Sequence, residues 1–560
     1  MCIPSSNLSD ATFQKISSWI KECDETHTSC LNHSQQSSEA VTRYLPTRVV
    51  HVGSKTQKPR LHMSHRHQSD RYIALSHCWG KIPQARTLNA NIELFKKEII
   101  LGDLSKTFQD AIDVVRRLDI EYIWIDSLCI VQDDDVDWLR ESERMGGIYA
   151  NAYLTIAATW TADGSGGLNS IRPQNDWIRI PCDGPNKTKG YMWLTDASWT
   201  SQTDLDDAPL NTRGWVLQEK MLSRRIIHFA SSQVYWQCKQ RFVKEESEDA
   251  ICFEGATLEP SLFWADVDAI SHTGLLPEYR VNFGFYPRRN FGFHPRVPDE
   301  LQLLQRFHIT WRAFVRYYCT RDLTKQSDRL IALQGITRVI EKQTGLRCCD
   351  GHWDDGSHRF MCELMWIPKV NRTLPVLDDG RRSRLCSSWS WASLEGPVEY
   401  DFDLKTCKGD YGMKDCDLRL KAIEHGVRVP CSSRPLKVSG MLQSVYKCEL
   451  VENHENNGRR TFIVKAKASE KAHGWVCFDR EDEEPANFHF SPVHVHNGNI
   501  ACLALYRKHR PEGTKRCFER VGMGYFETKY PNLLGARGNS TYSDINDIFE
   551  ACERETYYII

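Results

Sequence analysis

The stretch Tyr122–Thr159, YIWIDSLCIVQDDDVDWLRESERMGGIYANAYLTIAAT, decides how the chain is read. Its first run, Tyr122-Ile123-Trp124-Ile125, is apolar without alternation and stops at Asp126. An acidic loop follows, Asp133-Asp134-Asp135-Val136-Asp137. A helical segment then leads into a second apolar run, Tyr153-Leu154-Thr155-Ile156-Ala157-Ala158. Short runs of this kind mark strands buried on both faces, as in a parallel sheet with helical crossovers. Ligands of such sheets bind at the carboxyl ends of the strands. Asp126 and the acidic loop lie at such an end. The aspartates lack calcium-loop spacing, so the loop reads as a cap and boundary.

The helix after the loop carries the sharpest argument. Asp137 is placed to cap it. Trp138, Met145, Ile148 and Tyr149 define its apolar stripe, and Glu141 and Ser142 fall on that stripe at i+3 and i+4. Glu143 points away to solvent. A carboxylate on a core-facing stripe needs a partner or a cleft, because an isolated buried charge is costly. Glu141 is therefore a catalytic candidate. The competing reading is an acid in the first turn that favours the helix dipole and stays wet.

Upstream, Arg71–Gly80, RYIALSHCWG, reads as a buried strand ending in small and polar residues. Ser76, His77 and Cys78 suggest nucleophilic catalysis. However, neighbours on a strand point to opposite faces, so His77 activates Cys78 only if the strand has already ended. Leu104–Leu118 reads as a helix, with Phe108, Ala111, Ile112, Val115 and Leu118 on one stripe and Thr107 with Asp110 as a capping pair. Strand, helix, strand, helix, strand from 71 to 159 predicts a doubly wound α/β domain with a mostly parallel sheet.

Downstream, Arg213 and Glu219 bracket a Trp-centred turn, and Arg225–Phe229 with Gln233–Cys238 reads as a hairpin. Residues 282–297 contain a tandem copy, NFGFYPRR then NFGFHPRV, too short for a solenoid and read as an exposed insertion. Leu301–Ile340 is helical in pattern. Trp389-Ser390-Trp391-Ala392-Ser393 alternates like a strand, and short strand-like runs continue to Ile560. The C-terminal region is therefore expected to be mixed α+β and β-rich.

The chain has 560 residues, too many for one core. The expected division is 1–68, 72–219, 220–345 with an insertion near 280–297, and 346–560. A net charge of -1 supplies no electrostatic reason for nucleic acid or an anionic membrane as partner. The N-terminus lacks signal-peptide character and no run is long enough for a membrane helix. With no secretion signal, the 21 cysteines read as reduced thiols in a cytoplasmic protein. Near the start, Cys23, His27, Cys30 and His33 are spaced C-x3-H-x2-C-x2-H. Cys and His are the usual ligands of a closed zinc site. The spacing fits no standard finger, and the alternative is a packed helix end with free thiols. No nucleotide-binding glycine motif occurs in the chain.

Three blocks together resemble the heterokaryon incompatibility (HET) domain proteins of filamentous fungi. The first is YIALSHCWG, Tyr72–Gly80. The second is WIDSLCIVQD, DWLRES, IY and LTIAAT within Trp124–Thr159. The third is RGWVLQE, Arg213–Glu219, followed by LSRRIIHF. The resemblance covers about residues 72–219. One departure is Gln237, where many relatives carry Glu. The resemblance implies non-self recognition and regulated cell death after fusion of unlike cells, through a protein partner or self-association. It also implies a distant likeness to Toll/interleukin-1 receptor (TIR) domains, some of which cleave NAD at its nicotinamide glycosidic bond with a helical glutamate. On that likeness NAD is a possible substrate, with Glu141, Asp126 and Ser76 as catalytic candidates. Trp79, His77 and Glu219 would then contact the nucleotide. An inert relative or an interaction scaffold is the third expectation.

Overall fold

Tyr72–Ser76 (β3) sits in the middle of an eight-stranded sheet and is buried along its whole length. It is flanked by Tyr122–Trp124 (β4) and Leu154–Ala157 (β5), both parallel to it. All three come from runs in which every second residue, and its neighbour, is apolar, so both faces are covered. Arg225–Phe229 (β8) adds a fourth parallel strand beside β5. The spatial order β8-β5-β3-β4 means that the chain moves first to one side of β3 and then to the other. This is the reversal of a doubly wound sheet, with its switch point between β3 and β5.

Both edges are antiparallel. Arg48–His51 (β1) pairs with β4 and with Arg60–Met63 (β2), while Val234–Cys238 (β9) and Phe242–Lys244 (β10) extend β8. The sheet is therefore mixed, and the expectation of a mostly parallel sheet holds only for its centre. Hairpins need no crossover helix, so they attach wherever an edge is open. Strand β2 lies inside 51–70, which reads as a loop from its polarity. A further hairpin, Ile178–Asp183 (β6) with Lys189–Leu194 (β7), stands apart in a stretch that reads as irregular.

The helices follow their stripes. Asp10–Thr26 (α1) is capped by Ser9, whose side chain accepts from Thr12 N, and it buries Phe13, Ile16, Trp19 and Cys23. Thr28–Leu31 (α2) and Ile92–Lys97 (α3) are short. Lys106–Arg117 (α4) buries Phe108, Ala111, Ile112 and Val115, each large side chain contributing roughly 1.5–3 kcal/mol. Its cap is Ser105, which accepts from Phe108 N, and not Thr107, whose hydroxyl donates to Gly164 O at 3.1 Å.

Asp126–Cys129 (α5) opens where β4 ends. The next helix divides in two, Asp135–Ser142 (α6) and Met145–Asn151 (α7). Gly146 and Gly147 begin the second piece, and glycine favours an interruption. Asp134 caps α6 by accepting from Val136 N and Asp137 N. Asp137 is instead buried in an ion pair with Arg48, and it also accepts from Val131 N at 2.9 Å. Gly214–Leu222 (α8) replaces the expected turn. It is buried on nearly all sides, so no stripe reveals it in sequence.

The structure is a computed structural model describing residues 4–31, 44–54, 56–170, 172, 178–183, 189–194, 204–247, 260–272, 300–354, 360, 363–369, 386–400, 417–420, 436–441, 443–451, 461–466, 473–480, 488–496, 499–508, 516–527 and 554–560. They divide into two compact units. The first takes its described residues from Met1–Ala265 and Ile331–Val339, the second from Asp266–Glu278, Pro295–Leu330 and Ile340–Ile560. The second unit holds a nine-stranded sheet, antiparallel except where Cys517 and Phe518 pair with Tyr558 and Ile559. Its core includes Trp389, Leu436, Leu503, Phe518, Met523 and Ile559. Trp391–Ser393 is a single helical turn and no strand, because Ser390 caps it by accepting from Ala392 N and donates to Asp350 O. The helical pattern of 301–340 resolves into Glu300–Tyr318 and Gln334–Thr344 with short turns between them. The duplicated 282–297 stretch and His33 lie outside the described residues.

Candidate functional site

Strand β3 ends at Ser76, beside Ala157 of β5, at the switch point of the sheet. Beyond it the chain turns into a loop, so His77, Cys78 and Trp79 no longer alternate across a strand. Gly80 makes this possible: its φ is +63°, and a Cβ there would lie 2.2 Å from Cβ of Asp163. Trp79 turns back to donate its indole N–H to Asp126 Oδ2 at 2.7 Å. The other oxygen of Asp126 accepts from Ser127 N at 2.7 Å. His77 is buried against Phe108, with Nε2 3.7 Å from Asp126 Oδ1, longer than a hydrogen bond. Burial lowers its pKa, so this imidazole is neutral near pH 7.

Helix α8 brings Arg213 and Glu219 to the same place. Arg213 precedes the first turn and donates to the carbonyl of His77. Glu219 is 6 % exposed and hydrogen-bonds the hydroxyls of Ser76 and Tyr149. Burial pushes its pKa up to about 7, with Arg213 opposing the rise and Asp126 adding to it. Tyr149 Oη also donates to Leu75 O at 3.1 Å, which anchors α7 to β3.

A cavity of about 10 Å³ adjoins Glu219, lined also by Ser76, Asn211, Lys220 and His228. That is room for about one water. His228 Nε2 shares a hydrogen bond with Gln237 Oε1 at 3.0 Å, while its Nδ1 has no hydrogen-bond partner among the described residues. Burial first, then the charge of Lys220, depress the His228 pKa to about 3. Burial and Lys220 thus hold this histidine neutral, while the hydrogen bond with Gln237 opposes them. Cys78 is buried nearby, and burial pushes its thiol up to about 11. It is a thiol and not a nucleophilic thiolate at neutral pH.

The structure therefore gathers Ser76, His77, Trp79, Asp126 and Glu219, all named from sequence. It adds Tyr149, Arg213 and His228, which sequence reasoning left out of the site. A hydroxyl on a buried stripe was the available signal for Tyr149, since a buried phenol seeks a partner. Nothing in the sequence pointed to His228. Glu141 lies elsewhere. It is 2 % exposed, and its Oε1 is 3.2 Å from Arg140 Nε and 3.6 Å from Arg144 Nη1. Its polar partners are these two arginines and not the strand-end groups. Glu143 is exposed.

The N-terminal Cys/His residues form a separate cluster. Cys23, His27 and Cys30 come together with Cys238 at the end of β9, and all four ligand atoms lie within 4.8 Å of one another.

Residues 72–219 match the family model described as heterokaryon incompatibility protein (HET). The chain carries a heterokaryon incompatibility domain. Its match opens on the first residue of β3 and closes on Glu219, so the strand-end cluster is contained in the HET domain apart from the His228 side of the cavity. The sheet itself extends beyond the HET match at both edges. No curated protein and no solved structure gives a significant match. Among the described residues, no helix is long and apolar enough to cross a membrane.

Proposed function

We propose that this HET domain protein acts in non-self recognition leading to regulated cell death, through self-association or a protein partner, with the cluster around Glu219 as its working site. The observation that carries the reading is the convergence of Ser76, Trp79, Asp126, Arg213 and Glu219, from three separate blocks, on the switch point of the sheet. Open α/β sheets use this point to take ligands. The cavity there has room for a water and not for a dinucleotide. That favours a signalling domain working by contact.

A second reading has one specific observation in its favour. A carboxylate with a pKa of about 7 is matched to proton transfer at neutral pH. Hydrolysis of NAD at its glycosidic bond needs a carboxylate to stabilise an oxocarbenium-like centre or to orient water. Glu219 meets that need at the strand ends, and Glu141 on α6 is the other carboxylate to be tested. The site would have to open to admit the nucleotide, for example by movement of α8 or the Trp79 loop.

Induced expression of the full chain, Glu219→Gln and Glu141→Ala in a fungal host separates the readings, with growth and cellular NAD measured together. Contact signalling predicts growth arrest with NAD unchanged in the unaltered chain. The enzyme reading predicts NAD loss that one of the two substitutions abolishes. Neither arrest nor NAD loss in the unaltered chain leaves only an inert relative and overturns the proposal.

A further inference from the structure

We propose that Cys23, His27, Cys30 and Cys238 bind one zinc ion that fastens the N-terminal helix pair to the sheet. Helix α1 ends at Thr26, His27 follows as its C-cap, and α2 begins at Thr28. This break turns three ligands of one short segment toward the same point. The fourth arrives from strand β9, 211 residues away from His27. Cys23, His27 and Cys30 are buried and Cys238 is partly buried.

The distances suit a tetrahedral metal. With Zn–S of ~2.3 Å and Zn–N of ~2.0–2.1 Å, ligand atoms sit roughly 3.5–3.8 Å apart. Here all four lie within 4.8 Å of one another, and His27 Nδ1 is 3.3 Å from Cys238 Sγ. A contraction of roughly 1 Å completes the geometry. Three sulfurs and one imidazole in a closed site select zinc. Iron–sulfur clusters take four cysteines or a pair of histidines, and blue copper takes two histidines with one cysteine.

The surroundings are those of thiolates. Arg225 Nε donates to Cys23 Sγ at 3.2 Å, and the same guanidinium pairs with Asp24 Oδ1 at 2.6 Å. The backbone N–H of Lys239 is directed at Cys30, and that of Gln240 at Cys238. Three thiolates, a neutral imidazole and Zn²⁺ sum to one negative charge, and the Arg225 guanidinium, shared with Asp24, lies against it. With Nδ1 toward the metal, His27 Nε2 lies 3.7 Å from Glu22 Oε1, beyond hydrogen-bond length but close enough for a small shift to make the contact. Arg241 holds Glu22 in turn, at 2.5 and 2.6 Å. Such carboxylate–histidine–zinc arrangements orient the ring. A packed helix end with free thiols has no use for this set of donors.

The consequence is structural. A metal that joins ligands so far apart in sequence closes a very long loop, where cross-links stabilise most. Trp19 of α1 and Trp236 of β9 pack 6.5 Å apart beside the site, so the junction is also an apolar contact.

The test uses the full chain purified under reducing conditions without chelator. One zinc per chain is expected by elemental analysis. Replacement by Co²⁺ should produce sulfur-to-cobalt charge transfer and the intense visible bands of a tetrahedral three-sulfur, one-nitrogen site. Chelation should lower the melting temperature. Cys238→Ser should weaken zinc affinity by about 100-fold or more. Cys182→Ser, outside the cluster, should retain one equivalent. The measurements on the unaltered chain stand whether or not Cys238→Ser folds. Less than about 0.1 zinc per chain after reconstitution overturns the proposal. So does a disulfide among these cysteines in protein that takes up no metal.

Discussion

Glu219 in the first unit and Glu363 in the second are both buried glutamates, and their chemistry is opposite. Glu363 is 0 % exposed. Its Oε1 is 2.5 Å from His308 Nδ1, and its Oε2 accepts from Trp353 N at 2.7 Å and lies 3.6 Å from His352 Nδ1. Burial works against its ionisation, but His308 and then His352 outweigh it and bring the pKa down to about 2. Glu219 has hydroxyl partners instead, with the Arg213 Nη1 donor engaged by the carbonyl of His77, and burial prevails at about 7. Desolvation is common to both, so the partners decide. Glu363 is a structural anchor that stays charged near neutrality. Glu219 is poised to change its charge near neutrality, which is what a working site needs.

The largest test of this contrast is Glu363→Ala. Removing one partner of a buried charged group costs about 3–5 kcal/mol, read from urea denaturation of the full chain. A loss below about 1 kcal/mol would mean that the histidines do not depend on Glu363, and the comparison would fail. The sign of its pH dependence follows. The folded pKa is lowered from 4.5, so this stability is present above pH 4.5 and is lost as pH falls toward about 2.

Glu219→Gln should act the other way and by less. The folded pKa is raised from 4.5 to about 7, so the stabilising contribution is present below pH 4.5 and is lost as pH rises through about 7. The neutral isostere should therefore match the unaltered chain at low pH and exceed it at pH ~8, by at most on the order of 3 kcal/mol. Equal melting temperatures at both pH values would show that Glu219 is not desolvated. The smallest expected effect is that of Ser76→Ala. Loss of a hydroxyl that favours the carboxylate should raise the Glu219 midpoint by less than about one unit, measured from the pH profile of stability.

Much of the first unit was legible without coordinates. The apolar runs of β3, β4 and β5 and the stripe of α4 arise from local periodicity, and local periodicity survives folding. Ser76, Trp79 and Asp126 were legible as polar residues at or just beyond the ends of apolar runs. Glu219 was marked by its motif, although its helix was not recognised, since α8 is covered on nearly all sides. Helical phase correctly buried Glu141 and exposed Glu143. Phase reports only which side of a helix faces inward, and what waits there for Glu141 is a pair of arginines.

The Cys/His segment marks the same limit. Three of its clustered residues lie within eight positions and stand out by residue type. Cys238 has no local mark, because its place beside them depends on how β9 docks on the edge of the sheet. By itself, then, the sequence determined the strands, the main helices, the family of residues 72–219 and the polar residues at the strand ends, since each is written in neighbouring residues. Only the tertiary structure decided which carboxylate is desolvated with hydroxyl partners, which is neutralised by cations and which sulfur completes the cluster. Each of those depends on groups that meet only after long stretches of chain have closed.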